Sequence, residues 1–150
     1  MNKKEGPVVV EEFFTVSKKE LWGALTEVKQ MTQWFFENIE AFEPEIGFKT
    51  RFSVQNEEKI FLHLWTIIEV EPLKKIKYNW KYEGYDGDSD VTFKLIEVSE
   101  GIKLELTHEV LKDFPQNIIE FKRESCLGGW NYFIKERLKT YLKGDKKNSH

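Results

Sequence analysis

IIEFKRESCLGGWNYFIKERLKTYL, residues 118–142, keeps an apolar side at helical spacing along its whole length. The stripe is Ile119, Cys126/Leu127, Trp130, Phe133/Ile134, Leu138 and Tyr141/Leu142. At 1.5 Å per residue such a helix is about 37 Å long, the only element of the chain able to cover a sheet. Pro115 ahead of it marks a boundary with the preceding strand.

The segment upstream supplies that sheet. Ile76, Tyr78, Trp80 and Tyr82 alternate with Lys75, Lys77, Asn79 and Lys81, a half-buried strand. Phe48, Thr50, Phe52 and Val54 alternate with Lys49, Arg51 and Ser53, and Val91, Phe93 and Leu95 with Thr92 and Lys94. Ile102, Leu104, Leu106, His108 and Val110 share one strand face, opposite Lys103, Glu105, Thr107 and Glu109. Ile60–Val70 is a long strand, apolar on both faces in its first half, so its inward face is ambiguous. Asp86-Gly-Asp-Ser-Asp90 and Ser99-Glu-Gly101 are turns.

At the front, Val8–Phe14 is a short strand by its β-branched and aromatic content. Ser17-Lys-Lys-Glu20 is a capping box opening a helix with Leu21, Trp22 and Leu25 on its apolar side. A second helix covers roughly residues 28–36, with Met31, Trp34 and Phe35 at helical spacing. The predicted order is strand, two short helices, six antiparallel strands and one long helix. This is an α+β fold, a curved antiparallel sheet wrapped around a long C-terminal helix. One domain over residues 1–150 is expected, with an ordered core at about 8–142 and a frayed tail at 143–150.

Composition sets the outer bounds. With 150 residues and 17.9 kDa, the folded chain exposes about 8,000 Å², against roughly 26,000 Å² unfolded, enough burial for a core without staples. Hydrophobic residues are 40% and charged residues 33%, which excludes wholesale disorder. A net charge of -3 argues against a nucleic-acid partner. No apolar run is long enough for a membrane span, and Met1–Glu5 has no apolar stretch of the signal-peptide kind. The lone Cys126 points to a reducing, cytoplasmic setting. Phe, Trp and Tyr together make 15% of the chain, rings that either fill a core or line a cavity.

In this ordered series the chain resembles the START-like, birch-pollen-allergen-like superfamily (SRPBCC, helix-grip fold). More narrowly it resembles the branch named after the activator of heat-shock-protein-ninety ATPase, C-terminal-domain type. The residues that carry the likeness run from about 8 to 142. They are the opening strand into residues 17–26, Trp34-Phe35, residues 68–72 with 76–80, residues 89–93 with 104–108, and Gly129-Trp130 with Leu138 and Tyr141-Leu142. The resemblance implies a helix-grip domain with an internal cavity for an apolar ligand. The superfamily also includes carriers, cyclases and co-chaperone domains, so it fixes the fold more firmly than the activity. The birch-allergen glycine-rich loop is absent, which weakens the analogy to nucleotide-like ligands.

Face-consistent ring positions for a cavity between sheet and helix are Phe52, Trp65, Tyr78, Trp80, Phe93, Leu106, His108, Trp130 and Phe133. The expected function is non-enzymatic binding of a small hydrophobic ligand, lipid-like or aromatic. The alternative is a protein-interaction module resembling the chaperone-activator domain, with a chaperone partner and a stress-response role. No cofactor or metal is called for, and a monomer or weak dimer is expected. His108 is read two ways: a polar anchor for the ligand, with one nitrogen free and the other fixed by Tyr132 or a backbone carbonyl, or a core histidine satisfied by its neighbours. His63 is of ambiguous face, and a zinc reading is weak for want of further ligands. Residues 86–97 mimic a calcium loop except that Val91 stands where the turn needs Gly. Gly128-Gly129 reads as a bend or a close approach of the sheet that shapes the cavity mouth, or as tight packing against a bulky strand residue. Cys126 reads as a small buried hydrophobe, with no sequence argument for contact with His108. Acid–base chemistry would have to draw on His108, Tyr78 or Tyr132.

Overall fold

A computed structural model describes the backbone of residues 1–148 and the side chains of residues 1–143. The element order is β1 (Val8–Phe14), α1 (Lys18–Thr26), α2 (Val28–Trp34), β2 (Lys49–Asn56), β3 (Lys59–Glu71), β4 (Lys75–Tyr82), β5 (Asp88–Val98) and β6 (Gly101–Lys112). A long C-terminal helix follows, here α3, built of an α-helical run (Arg123–Trp130), a π-helical run (Asn131–Leu138) and a second α-helical run (Lys139–Asn148). This is the expected α+β helix-grip fold. Five strands follow the short helices, not six, because residues 36–48 form an irregular loop that buries Ile39 and Phe42 without joining the sheet.

The sheet is wholly antiparallel in the order β1-β6-β5-β4-β3-β2. Tight turns explain the meander from β2 to β6, and β1 closes on β6 with Val8 opposite His108. In β3 the inward set is Phe61, His63, Trp65 and Ile67, and a register shift between Ile67 and Glu69 then breaks the alternation. Outward Ile60 is 61% exposed.

Local chemistry sets the ends of the short helices. The Ser17 side chain accepts the Glu20 N–H at 3.1 Å, and the Glu20 carboxylate reaches back to the Ser17 N–H. Glu27, in extended conformation, is the single residue between α1 and α2. Trp34 at the end of α2 donates its indole N–H to the Ala24 carbonyl at 2.8 Å, tying the two helices together.

Helix α3 begins at Arg123, with a 3₁₀ turn at Ile119–Phe121 ahead of it, later than the expected start at Ile118. The backbone stays in the right-handed helical region across Trp130–Asn131 and at Lys139. Trp130, Ile134, Leu138 and Leu142 are buried at a strict four-residue spacing. A 3.6-residue turn would rotate such a stripe away from the sheet, and the wider π-type turns hold it in place. Of the expected frayed tail, residues 143–148 continue the helix, and 149–150 lie outside the described residues.

The outer edge of β1 and the segment leading into it are covered by cations from α3. Arg123 donates to the carbonyls of Glu5, Gly6 and Pro7, Lys135 to that of Glu11 and Lys139 to that of Phe13. At the 86–90 turn, strand β5 already begins at Asp88, earlier than expected. The Asn79 amide spans Asp88 and Asp90 at 2.6 and 3.2 Å, which gives these carboxylates a structural use. A Cβ on Gly87 would stand 2.2 Å from the Phe114 ring, so this turn position requires glycine.

Candidate ligand-binding cavity

Between the middle of the sheet and the first turns of α3 lies a chamber of about 130 Å³. Its walls are Trp80 and Tyr82 from β4, His63 from β3, His108 from β6, Phe36 from the loop after α2, and Cys126, Gly129, Trp130 and Phe133 from α3. It adjoins a vestibule of about 750 Å³ between the β2–β3 turn and the start of α3. Phe36, His63, Tyr82, Gly129 and Phe133 line both spaces.

Of the nine expected cavity residues, Trp80, His108, Trp130 and Phe133 stand together on the chamber wall. The other five do not line the chamber or the vestibule. Phe52 lies behind the wall, stacked on His63 with centroids 4.9 Å apart. Trp65, Tyr78, Phe93 and Leu106 belong to closed core. The physical reason is that Phe35 fills the space beside Trp65 and Phe93, and Phe42 packs on Tyr78 at 5.9 Å. The Phe35 ring lies 5.6 Å from Trp65, 6.3 Å from Phe93 and 5.6 Å from Trp130, and is stacked at 4.7 Å on Trp34. The open space is therefore displaced toward β3–β4 and the N-terminal part of α3.

His108 is fully engaged. Trp130 donates its indole N–H to Nδ1 at 3.0 Å, and the Cys126 sulfur lies 3.4 Å from the same nitrogen. Nδ1 must then be the unprotonated atom, and the Nε2 proton goes to Ser89 Oγ at 2.9 Å. Ser89 passes its own proton to the Trp80 carbonyl at 2.8 Å. The expected free nitrogen is absent, and the expected partner Tyr132 is 44% exposed at the vestibule, where Arg137 contacts it. Burial lowers the His108 pKa to about 3, so the ring is neutral at pH 7. Burial likewise pushes the Cys126 thiol up to about 12. The Cys–His contact thus joins two neutral groups, with the Nδ1 lone pair taken mainly by Trp130, and is not an activated nucleophile.

His63 differs. Its Nδ1 lies 3.2 Å from the Phe61 carbonyl, an oxygen that can only accept, so Nδ1 carries the proton and Nε2 bears a lone pair. Among the described residues nothing hydrogen-bonds Nε2. Burial lowers the His63 pKa to about 4. Beside it, with ring centroids 4.7 Å apart, stands Tyr82. Burial holds that phenol well above its ordinary value, opposed by the nearby Trp80 indole. The Trp80 N–H itself makes no well-aligned hydrogen bond. His63, Tyr82 and Phe36 were missed as site residues. Tyr82 continues the 76–82 alternation and was open to selection, whereas the face of His63 follows only from strand pairing.

A Cβ on Gly128 or Gly129 would meet nothing within 4 Å. Neither a close approach of the sheet nor packing against a bulky strand residue accounts for the pair. Gly129 instead leaves bare helix backbone on the wall of both spaces. At the mouth, Glu120 receives Asn56 at 2.7 Å and Lys59 at 2.9 Å, joining the β2–β3 turn to the segment that opens α3. These contacts hold the Glu120 carboxyl below its usual range.

A curved sheet gripping one helix around a ring-lined pocket defines a helix-grip domain of the SRPBCC class. Residues 15–143 match the family described as Activator of Hsp90 ATPase homolog 1-like protein, and the chain belongs to that family. No curated protein matches it. Among solved structures, protein CV1439 from Chromobacterium violaceum superposes with a TM-score of 0.77 at 17% identity, covering 91% of this chain and 96% of that one. DynU16, from the dynemicin biosynthetic locus, gives 0.73 at 22% identity, and the alignment covers 91% of this chain but only 47% of DynU16. The Aha1 dimer from Colwellia psychrerythraea gives 0.67 at 16% identity, covering 91% and 95%. At these identities the likeness is one of fold. Among the described residues no helix is long and apolar enough to cross a membrane.

Proposed function

We propose that the protein is a non-enzymatic binding domain for a small hydrophobic molecule, aromatic or lipid-like, held between sheet and C-terminal helix. The observation that carries this reading is the open, ring-lined chamber with the unpartnered His63 Nε2 on its wall. Its volume of about 130 Å³ is close to that of engineered apolar cavities that hold one benzene ring. The vestibule gives room for a longer tail. Two neutral histidines and a thiol held protonated offer no ready nucleophile or acid at pH 7, which favours binding over catalysis. The free Cys126 suits a reducing cytoplasm.

Titration with N-phenyl-1-naphthylamine, a probe that fluoresces in apolar surroundings, tests the reading alongside native mass spectrometry of the purified protein. Saturable uptake at one probe per chain, or a co-purifying small molecule, is expected. A chain that takes up no probe and carries no added mass would overturn the reading. It would leave the family's other function, a protein-interaction module for a chaperone partner, acting as a monomer or weak dimer.

A further inference from the structure

We infer that His63 is the polar anchor of the cavity and selects ligands that bring a hydrogen-bond donor, a phenol-type hydroxyl on a single apolar ring. The inference rests on the cavity reading above and adds to it the direction of the hydrogen bond.

Three observations combine. The ring is immobilised, because Nδ1–H is committed to the Phe61 carbonyl and the imidazole is stacked on Phe52. That commitment fixes the tautomer, and Nε2 can only accept. His63 lies on the wall shared by chamber and vestibule, yet Nε2 has no partner among the described residues and is not among the polar atoms sealed in protein. An acceptor that opens only onto a ring-lined space discriminates by what replaces its water: a ligand O–H satisfies it, and a methyl or ether group in the same place does not. His108, the other cavity histidine, cannot play this part, since Trp130 and Ser89 occupy both its nitrogens. The rings of Phe36 and Trp80 lie 5.0 and 5.5 Å from His63, and Phe133 lies 4.9 Å from Phe36. They supply an aromatic enclosure in which the apolar body of such a ligand is held.

The test uses three molecules of nearly one shape: p-cresol, which donates; 4-methylanisole, which keeps the oxygen but cannot donate; and p-xylene, which has neither. Affinities are measured by NMR titration of the ¹⁵N-labelled protein, with the His63 imidazole nitrogens followed directly. p-Cresol should bind about tenfold more tightly than the other two, the scale of one net hydrogen bond. The Nε2 resonance should shift on p-cresol alone. In His63→Phe, which keeps a ring but removes the acceptor, the three affinities should converge. Equal binding of all three to the wild-type chain overturns the anchor and leaves the cavity reading standing. Binding of 4-methylanisole as tight as that of p-cresol overturns it in favour of a donor such as Tyr82. If none of the three binds, the cavity reading falls with the anchor. The ligand series in the wild-type chain decides the matter even if the variant does not fold.

Discussion

Trp130 on the C-terminal helix and His108 on β6 are joined by an indole N–H to imidazole hydrogen bond of 3.0 Å, across the interface where helix meets sheet. It continues through Ser89 to the Trp80 carbonyl, so one chain of bonds links α3, β6, β5 and β4. The network is structural. His108→Gln cannot reproduce both bonds and should lower stability by about 1–3 kcal/mol. Binding of N-phenyl-1-naphthylamine should stay within a few-fold of wild type. Thermal melts and probe titrations on the same variant check this. Loss of binding without loss of stability would return His108 to the site.

Acid should destabilise the fold through its two buried histidines. Both have folded-state pKa values below the ordinary 6.5, about 4 for His63 and about 3 for His108, with burial the main cause. Above pH 6.5 the rings are neutral in folded and unfolded chains alike and contribute no pH dependence. Below it the unfolded chain takes up protons that the folded chain refuses, and stability falls by about 1.4 kcal/mol per pH unit for each histidine. The loss levels off near pH 4 for His63 and near pH 3 for His108. Their surroundings are rings, Ser89 and Cys126. The Met1 ammonium, bonded to the Phe121 carbonyl, adds to the lowering at His108, and the one carboxylate on the chamber wall, Glu120, is committed to Lys59 and Asn56. Urea unfolding between pH 6 and 5 should show a slope approaching two protons, halved in His63→Phe. A flat profile would mean that the rings are not buried neutral.

What could be read from the sequence was local or periodic. The Ser17–Glu20 box is formed by neighbours, and the 76–82 alternation carries its own inward face. His63 could not be oriented, because Ile60–Ile67 is apolar on both sides and only pairing with β2 and β4 sets the choice. The aromatic surplus indicated a cavity but not its position. Trp65, Tyr78 and Phe93 share the inward face with Trp80, and what closes them off is Phe35 at the end of α2, over Trp65 and Phe93, and Phe42 from the following loop, over Tyr78. Contacts such as Ser89–His108 depend on β5–β6 register, which no local pattern encodes.

The Glu120 contacts should gate access to the cavity. Lys59 and Glu120 are 2.9 Å apart with side chains 47% and 20% exposed, so their net stabilisation is small and weakens with salt. Glu120→Ala should leave the melting temperature within a few degrees and speed the uptake of N-phenyl-1-naphthylamine. High salt should speed wild-type uptake in the same direction. Stopped-flow traces that are identical for both proteins at low and high salt would show that the mouth is not held at this point.

The two glycines of α3 allow stability and binding to be separated. A helix-interior glycine costs about 1 kcal/mol relative to alanine, and at both positions a Cβ would meet open space. Gly128→Ala and Gly129→Ala should therefore each raise stability by about 0.5–1 kcal/mol. Only Gly129 faces the chamber and vestibule. Gly129→Leu should carry a side chain into that space and abolish probe uptake while the protein remains at least as stable as wild type. Gly128→Ala should gain stability and bind as before. Chemical denaturation and probe titration on the three variants measure both quantities. Full uptake by a well-folded Gly129→Leu protein would place the ligand somewhere other than this chamber.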